Sequence, residues 1–293
     1  MLKYTYMILE GRTLAAQIRQ TLPQRAQVVR QKLGRPIRLA AIGSTEDYGA
    51  YVYLKKEVQA AEQIGVQTTI FEVNNQTSAA HFLTLVETLS ADKQTDAILI
   101  PRPLPEHLSQ TDYAARLAPQ KDIDGMSNTN MGNLFLCKTW DQITQLGGFV
   151  PCTAMAVVKL LSFHKIPLCG KETVVIGRSS TVGRPLAHLL TCQNATVKIC
   201  HTKTDLPRAV KDADIVCSAA GSPRLLQASW LPTGTVVIDI STNWQNNHLS
   251  GDAVPEDLQA RGISYSPVPG GVGPVTLAVL LENIILSGER KIL

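Results

Sequence analysis

Apolar side chains recur at helical spacing between residues 12 and 33 (Leu14, Ala15, Ile18, Leu22), which predicts helix there. The period then changes. Apolar and β-branched runs at 37–43, 67–73 and 96–100 predict strands, and the stretches between them, about 48–65 and 78–91, return to helical spacing. Strands alternating with helices imply a parallel sheet with helices on both faces, because parallel neighbours need a crossover connection. Gly147, Gly148 and Pro151 interrupt the pattern and mark an expected hinge. A second alternation follows: helix about 153–164, strand 172–177, helix 183–192, strand 195–200, helix about 205–212, then strands 213–218 and 234–240. The chain closes on a proline- and glycine-rich run, Pro267 to Pro274, and an apolar helix from Val275 to about Leu286 that can pack back on the first lobe. The expected fold class is therefore α/β in two lobes: an N-terminal βαβ lobe and a Rossmann-like lobe with a parallel sheet.

Composition agrees with that picture. A chain of 293 residues is long for one core and natural for two, and 44% hydrophobic against 18% charged residues excludes disorder. The net charge of +4 is not gathered into basic runs, which argues against a nucleic-acid partner. The N-terminus lacks a long apolar segment and no stretch approaches 18 uninterrupted apolar residues, so a soluble, cytoplasmic protein with no membrane partner is expected. Six cysteines (137, 152, 169, 192, 200, 217) form no C-x-x-C pair and most sit in apolar surroundings. They read as buried reduced thiols, and no metal is expected.

The most informative segment is Thr173 to Pro185. A β-branched run ends at Gly177, Arg178 and Ser179 follow, and a helix opens near Gly183. Such a strand–turn–helix cradles a dinucleotide pyrophosphate on backbone N–H groups, although ligand-free turns select glycine too. The spacing is not G-x-G-x-x-G, since Ser179 stands at the second glycine and Gly183 comes one residue late. The strand 195–200 ends in His201-Thr202-Lys203-Thr204, where an NAD domain carries an acid for the ribose 2′-OH. Hydroxyls, a lysine and the nearby Arg178 suit a 2′-phosphate instead, which favours NADP.

In the helix 48–65, Tyr51 and Lys55 stand at i and i+4 on one face, with Tyr48 beside them. A lone helical lysine is usually solvated. Held beside an aromatic in a cleft and partly buried, it becomes usable as an acid, a base or an electrostatic group. Asp122 and Asp124 precede Gly125 and read either as turn residues or as acceptors for paired ligand N–H groups. Their spacing does not fit a calcium loop. The run 267–276 is too rigid for a linker and should shape a binding surface.

Together these segments resemble the methylenetetrahydrofolate dehydrogenase/methenyltetrahydrofolate cyclohydrolase family. The likeness covers Ile8-Leu-Glu-Gly-Arg12, Tyr51-x-x-x-Lys55, Asp122-Ile-Asp-Gly125, Pro151-Cys-Thr153, Gly177-Arg-Ser-x-x-Val-Gly-x-Pro185, Gly251-Asp252 and Pro267 to Thr276. The resemblance implies a homodimer whose subunits bind tetrahydrofolate derivatives and NADP, with a folate-binding catalytic domain over 1–146, joined by the C-terminal helix 274–293, and an NADP-binding domain over 147–273. It implies that Tyr51 stacks on the folate, Asp124 holds the pterin and Lys55 is the acid/base or electrostatic group at the one-carbon bridge. It further implies that Ile100, Pro101, Arg102, Pro269, Gly270, Gly271, Val272 and Gly273 line the folate, and that Gly177, Arg178, Ser179, Thr202 and Thr242 meet NADP. Several positions depart from the family's usual pattern. Pro101 replaces a glutamine that would orient the lysine, Arg102 adds a charge, Tyr48 replaces a serine, Ala154 a proline and Ser241 a glycine. The expected activity is NADP-dependent oxidation of 5,10-methylenetetrahydrofolate, with impaired hydrolysis of the methenyl product to 10-formyltetrahydrofolate. The rival readings are a non-catalytic folate- or nucleotide-binding paralogue and a shikimate-type dehydrogenase.

Overall fold

The computed structural model describes residues 6–245 and 248–292. The chain divides into two compact units. The first contains Gln17–Asn133, Gly147–Val150 and the chain from Leu277 onward; the second contains the described residues up to Ala16, then Leu134–Leu146 and Pro151–Thr276.

The first unit is built on three parallel strands, β1 (Arg38–Ser44), β2 (Gln67–Val73) and β3 (Ala97–Leu99), in the order β2-β1-β3. The central strand β1 is buried along nearly its whole length, as its run of Leu, Ala and Ile requires, whereas the edge strand β2 alternates with exposed residues. The crossovers are the helices Tyr48–Gln63 and Ala79–Ala91. Each starts at a side-chain cap: Asp47 accepts from the Ala50 N–H at 2.9 Å and Ser78 from the His81 N–H at 3.2 Å. Ile42, Phe82, Val86, Ile98 and Leu108 fill the core between β1, β3 and the helix Ala79–Ala91. Residues 12–33 form two helices, Arg12–Gln20 and Leu22–Leu33; Pro23 sits in the first turn of the second, where a missing N–H costs nothing.

The C-terminal helix Val272–Glu289 returns to this unit from Leu277 onward. Asn283 Nδ2 donates to the Ile123 carbonyl at 2.8 Å, and Arg25 donates to Glu289 at 2.8 and 2.7 Å. Gly288 allows the close approach, since a Cβ there would stand 2.7 Å from Ile37 Cδ1. The helix is long and apolar enough to cross a bilayer, but 56% of its apolar window is buried within the protein. With Glu282 and Glu289 both on Arg25, it reads as a core helix.

The second unit carries β4 (Glu172–Ile176), β5 (Thr196–Cys200), β6 (Ile215–Ser218), β7 (Val236–Asp239), a hairpin of β8 (Asn243–Gln245) and β9 (His248–Ser250), and β10 (Ser264–Tyr265). The main sheet is parallel throughout, in the order β10-β7-β6-β4-β5. Residues 7–9 run along β10: the Leu9 N–H donates to the Tyr265 carbonyl at 2.8 Å and the Tyr265 N–H to the Met7 carbonyl at 3.0 Å. Those bonds group the start of the chain with this unit, where sequence reading assigns all of 1–146 to the first lobe. Residues 134–146 group here too, with the Phe135 ring 4.9 Å from that of His188 and the Cys137 carbonyl accepting from Cys192 Sγ. None of the six cysteines is in a disulfide, and all but Cys169 are buried.

Candidate active site

On the helix Tyr48–Gln63, β1 offers Gly43 where a Cβ would fall 2.1 Å from Leu54 Cδ2, so the helix lies close to the strand. Leu54, Val58 and Ala61 are buried, Tyr51 is half-buried with its ring edge near Gly43, and Lys55 is exposed. Lys55 Nζ lies 4.4 Å from the centroid of the Tyr51 ring. The Tyr51 phenol donates a hydrogen bond to the Glu72 carboxylate on β2, and that bond holds the phenol above its usual pKa. The aromatic neighbour expected from sequence is present, but the expected burial is not, because Lys55 is exposed. Tyr48 is 82% exposed and joins neither group.

Sequence reasoning missed Glu57. It is only 8% exposed, and its Oε2 has no hydrogen-bond partner among the described residues. Burial, and then the charge of Asp124, push its pKa up to about 8, so the carboxyl is neutral at neutral pH. The signal was available: an acid three residues after Leu54 and four before Ala61 falls on the helix's apolar stripe.

The two aspartates have different surroundings. Asp122, 1% exposed, accepts from the Met126 N–H at 3.0 Å, the Ser127 N–H at 2.6 Å and Asn130 Nδ2 at 2.8 Å. It is a turn residue heading the helix Asn128–Leu136. Asp124 is half-buried, two residues beyond the Ile98–Asp122 bridge that continues the sheet at β3. Ile100, Pro101 and Arg102 follow β3 directly, with a cis Arg102–Pro103 peptide. The Arg102 guanidinium donates to the Tyr113 phenol at 2.8 Å and lies 5.8 Å from its ring centroid, so this charge is engaged by Tyr113.

In the second unit the Gly177 turn is sterically closed to side chains. Gly177 has φ +115°, and a Cβ there would meet the Ala219 carbonyl oxygen at 2.4 Å. A Cβ on Gly183 would stand 2.2 Å from the Gly177 oxygen, so strand β4 and the helix Gly183–Cys192 touch backbone to backbone. Gly183→Ala is therefore expected to destabilise this unit by about 1–3 kcal/mol and to weaken nucleotide binding. Thermal melts with and without NADP would check both, and an unchanged Tm would contradict the reading. Ser179 Oγ accepts from the Val182 and Gly183 N–H groups at 3.1 and 3.3 Å. Arg178, Ser179, Thr202 and Lys203 are exposed, and the loop after β5 holds itself through His201 N–H to Thr204 Oγ1 at 3.0 Å.

The Gly251-Asp252 pair anchors the loops after β6 and β7. Asp252 is fully buried and accepts from Ser218 Oγ at 2.6 Å, Ser241 Oγ at 2.7 Å, and the Ala220 and Ser222 N–H groups at 2.9 and 2.8 Å. Ser241 also accepts the Gly221 N–H at 3.0 Å, which gives its hydroxyl a structural place. Gly251 has no room for a Cβ, which would lie 2.0 Å from Asp239 Oδ2. Burial pushes Asp239 up to about 6. These loops leave the C-terminal ends of their strands, the side of an open parallel sheet where ligands bind, and exposed Thr242 stands there. Pro269 and Gly273 are exposed, whereas Gly270, Gly271 and Val272 are buried. Their loop is closed by Gly271 N–H to the Pro267 carbonyl at 2.7 Å and tied to the N-terminal motif by Gly11 N–H to the Gly270 carbonyl at 2.8 Å.

Residues 9–124 match the family model for the tetrahydrofolate dehydrogenase/cyclohydrolase catalytic domain, and residues 151–292 match that for the NAD(P)-binding domain of the same enzymes. The bifunctional protein FolD of Elusimicrobium minutum is 51% identical over 288 residues, covering 98% of this chain and 100% of that protein. The chain belongs to the tetrahydrofolate dehydrogenase/cyclohydrolase family. The crystal structure of the FolD methylenetetrahydrofolate dehydrogenase/cyclohydrolase from Campylobacter jejuni superposes with a TM-score of 0.90 at 34% identity, covering 98% of this chain and 100% of that one. The Trypanosoma brucei enzyme complexed with NADP and an inhibitor gives 0.88 at 30%, covering 98% of each chain. Within this family the glycine turn after β4 belongs to an NAD(P)-binding domain, and its two glycines let the turn pack backbone to backbone on the helix Gly183–Cys192, the strand–turn–helix form that suits a dinucleotide pyrophosphate.

Proposed function

We propose that this protein oxidises 5,10-methylenetetrahydrofolate to the 5,10-methenyl form with NADP, and that hydrolysis of the methenyl product to 10-formyltetrahydrofolate is its slower activity. The observation that carries this reading is the Lys55 ammonium resting on Tyr51 while Pro101 stands in the loop after β3. NADP, when bound, supplies the hydride acceptor. Tyr51 offers an aromatic face for the folate, and Asp124 accepts paired N–H groups of the pterin. Ile100 to Arg102 and Pro269 to Gly273 line the folate, and Gly177, Arg178, Ser179, Thr202 and Thr242 hold the dinucleotide. Hydride loss chiefly needs positioning. In the second step water adds to the methenyl carbon and gives one proton to Lys55 in its free-amine form; that proton returns to N5 as the carbon–N5 bond opens, and the remaining hydroxyl proton leaves to solvent, giving the formyl group. Proline has no side-chain amide to orient that amine, which slows the second step selectively.

Exposed Arg178, Thr202 and Lys203, with no acid at 201–204 directly after β5, support NADP over NAD. Exposed Ile199 on the sheet-edge strand β5, which lines one groove with exposed Phe135, supports pairing with a second copy. Mixing the protein with methylenetetrahydrofolate is expected to produce NADPH from NADP, less NADH from NAD, and no reduction with shikimate. Absence of NADPH would leave the non-catalytic paralogue as the reading, which the exposure of Lys55 favours.

A further inference from the structure

A lysine ammonium on an exposed stretch of helix has four rotatable bonds, and nothing in its own backbone fixes where the charge sits. Here the ammonium has a shelf. The Tyr51 ring is attached at one end to the helix Tyr48–Gln63, and its phenol at the other end donates to Glu72, near the C-terminal end of β2. The bond to Glu72 restrains the outer end of the ring, and the Lys55 ammonium lies over its face at 4.4 Å. A phenol donating to a carboxylate also carries more electron density in its ring, which strengthens the attraction of the face for a cation. Glu72 is the only part of this arrangement that belongs to the sheet. It ties the lysine's position to β2, which pairs with β1, and β1 in turn pairs with β3, after which Ile100 and Pro101 follow.

We propose that Glu72 is a positioning residue for Lys55, acting through the Tyr51 ring. The inference rests on the folate chemistry proposed above for Lys55, and it assigns a role to a β2 side chain that makes no claim on substrate itself. Its physical content is a chain of two contacts, carboxylate to phenol and ring face to ammonium. Cutting the first contact must therefore have the same consequence as removing the phenol oxygen.

A double-mutant cycle tests this, using E72A, Y51F, E72A/Y51F and E72Q in the full chain. Two readouts are followed: kcat and KM for methylenetetrahydrofolate oxidation and methenyl hydrolysis, and the ring-current shift of the Lys55 ε-methylene protons by NMR. E72A and Y51F are each expected to lower kcat by on the order of threefold to tenfold, with KM nearly unchanged, and to reduce the ring-current shift. The double variant should be no worse than either single one, and E72Q, whose amide oxygen still accepts the phenol proton, should recover most of the loss. Single losses that multiply, or a Lys55 shift unchanged in E72A, would overturn the proposal. The NMR arm does not depend on turnover. A wild-type protein that makes no NADPH would therefore sink the proposed function, while the shift would still decide whether Glu72 places the ammonium.

Discussion

Replacing Lys55 by methionine is expected to lower kcat for methenyl hydrolysis by on the order of 100- to 10,000-fold, with a much smaller loss in methylene oxidation. Methionine preserves the unbranched apolar stem and removes only the amine. In hydrolysis the attacking water must lose a proton as it adds to the methenyl carbon, and no other basic side chain is placed on the Tyr51 ring among the described residues. Hydride loss makes no such demand, so the oxidation should lose only what the ammonium contributes to holding the substrate. The two rates are measured on one preparation with saturating substrate. Equal losses in both would mean that Lys55 only positions the folate, and no loss in hydrolysis would remove it from the chemistry.

The second large effect is one of stability. Glu57→Gln is expected to stabilise the protein by about 4 kcal/mol at pH 7.5 and by almost nothing at pH 4.5. The sign follows from the direction of the shift. Burial raises the folded pKa from 4.5 to about 8, so the folded protein keeps a proton that the unfolded chain releases. The wild-type contribution is fully present below the unfolded value and is lost as pH rises through the folded one. Glutamine is neutral at every pH and escapes the loss. Its amide also gives the buried position, whose Oε2 lacks a partner, a donor in the neighbourhood of Asp124. Urea midpoints at several pH values would show the gap between the two proteins opening between pH 4.5 and 8. A gap independent of pH would mean that Glu57 is ionised in the folded state.

Much of the framework is legible from patterning alone, for definite reasons. The strand 67–73 and the helix 183–192 match the observed elements at both ends, because glycine and the change of hydrophobic period punctuate them. The helices Asn128–Leu136 and Trp140–Thr144 were not legible, since the first opens on Asn-Thr-Asn and the second is only five residues long. The first is headed by Asp122, whose bonds to Met126, Ser127 and Asn130 separate it from Asp124, a distinction that an Asp-Ile-Asp string cannot carry. The attachment of residues 7–9 to β10 spans more than 250 positions and leaves no periodic trace. Glu72 was hidden for a similar reason: an acid on an edge strand looks solvated until the helix brings Tyr51 to it. Lys55 shows the limit from the other side, because helical spacing gave its neighbour correctly and its burial incorrectly.

The central claim is that this chain transfers hydride faster than it hydrates the product. The direct measurement follows NADPH and methenyltetrahydrofolate together after methylenetetrahydrofolate and NADP are added to the purified protein. NADPH should rise with methenyltetrahydrofolate accumulating beside it, and methenyltetrahydrofolate supplied alone should decay slowly. Rapid enzyme-dependent loss of methenyltetrahydrofolate, with none accumulating during NADPH formation, would contradict the account.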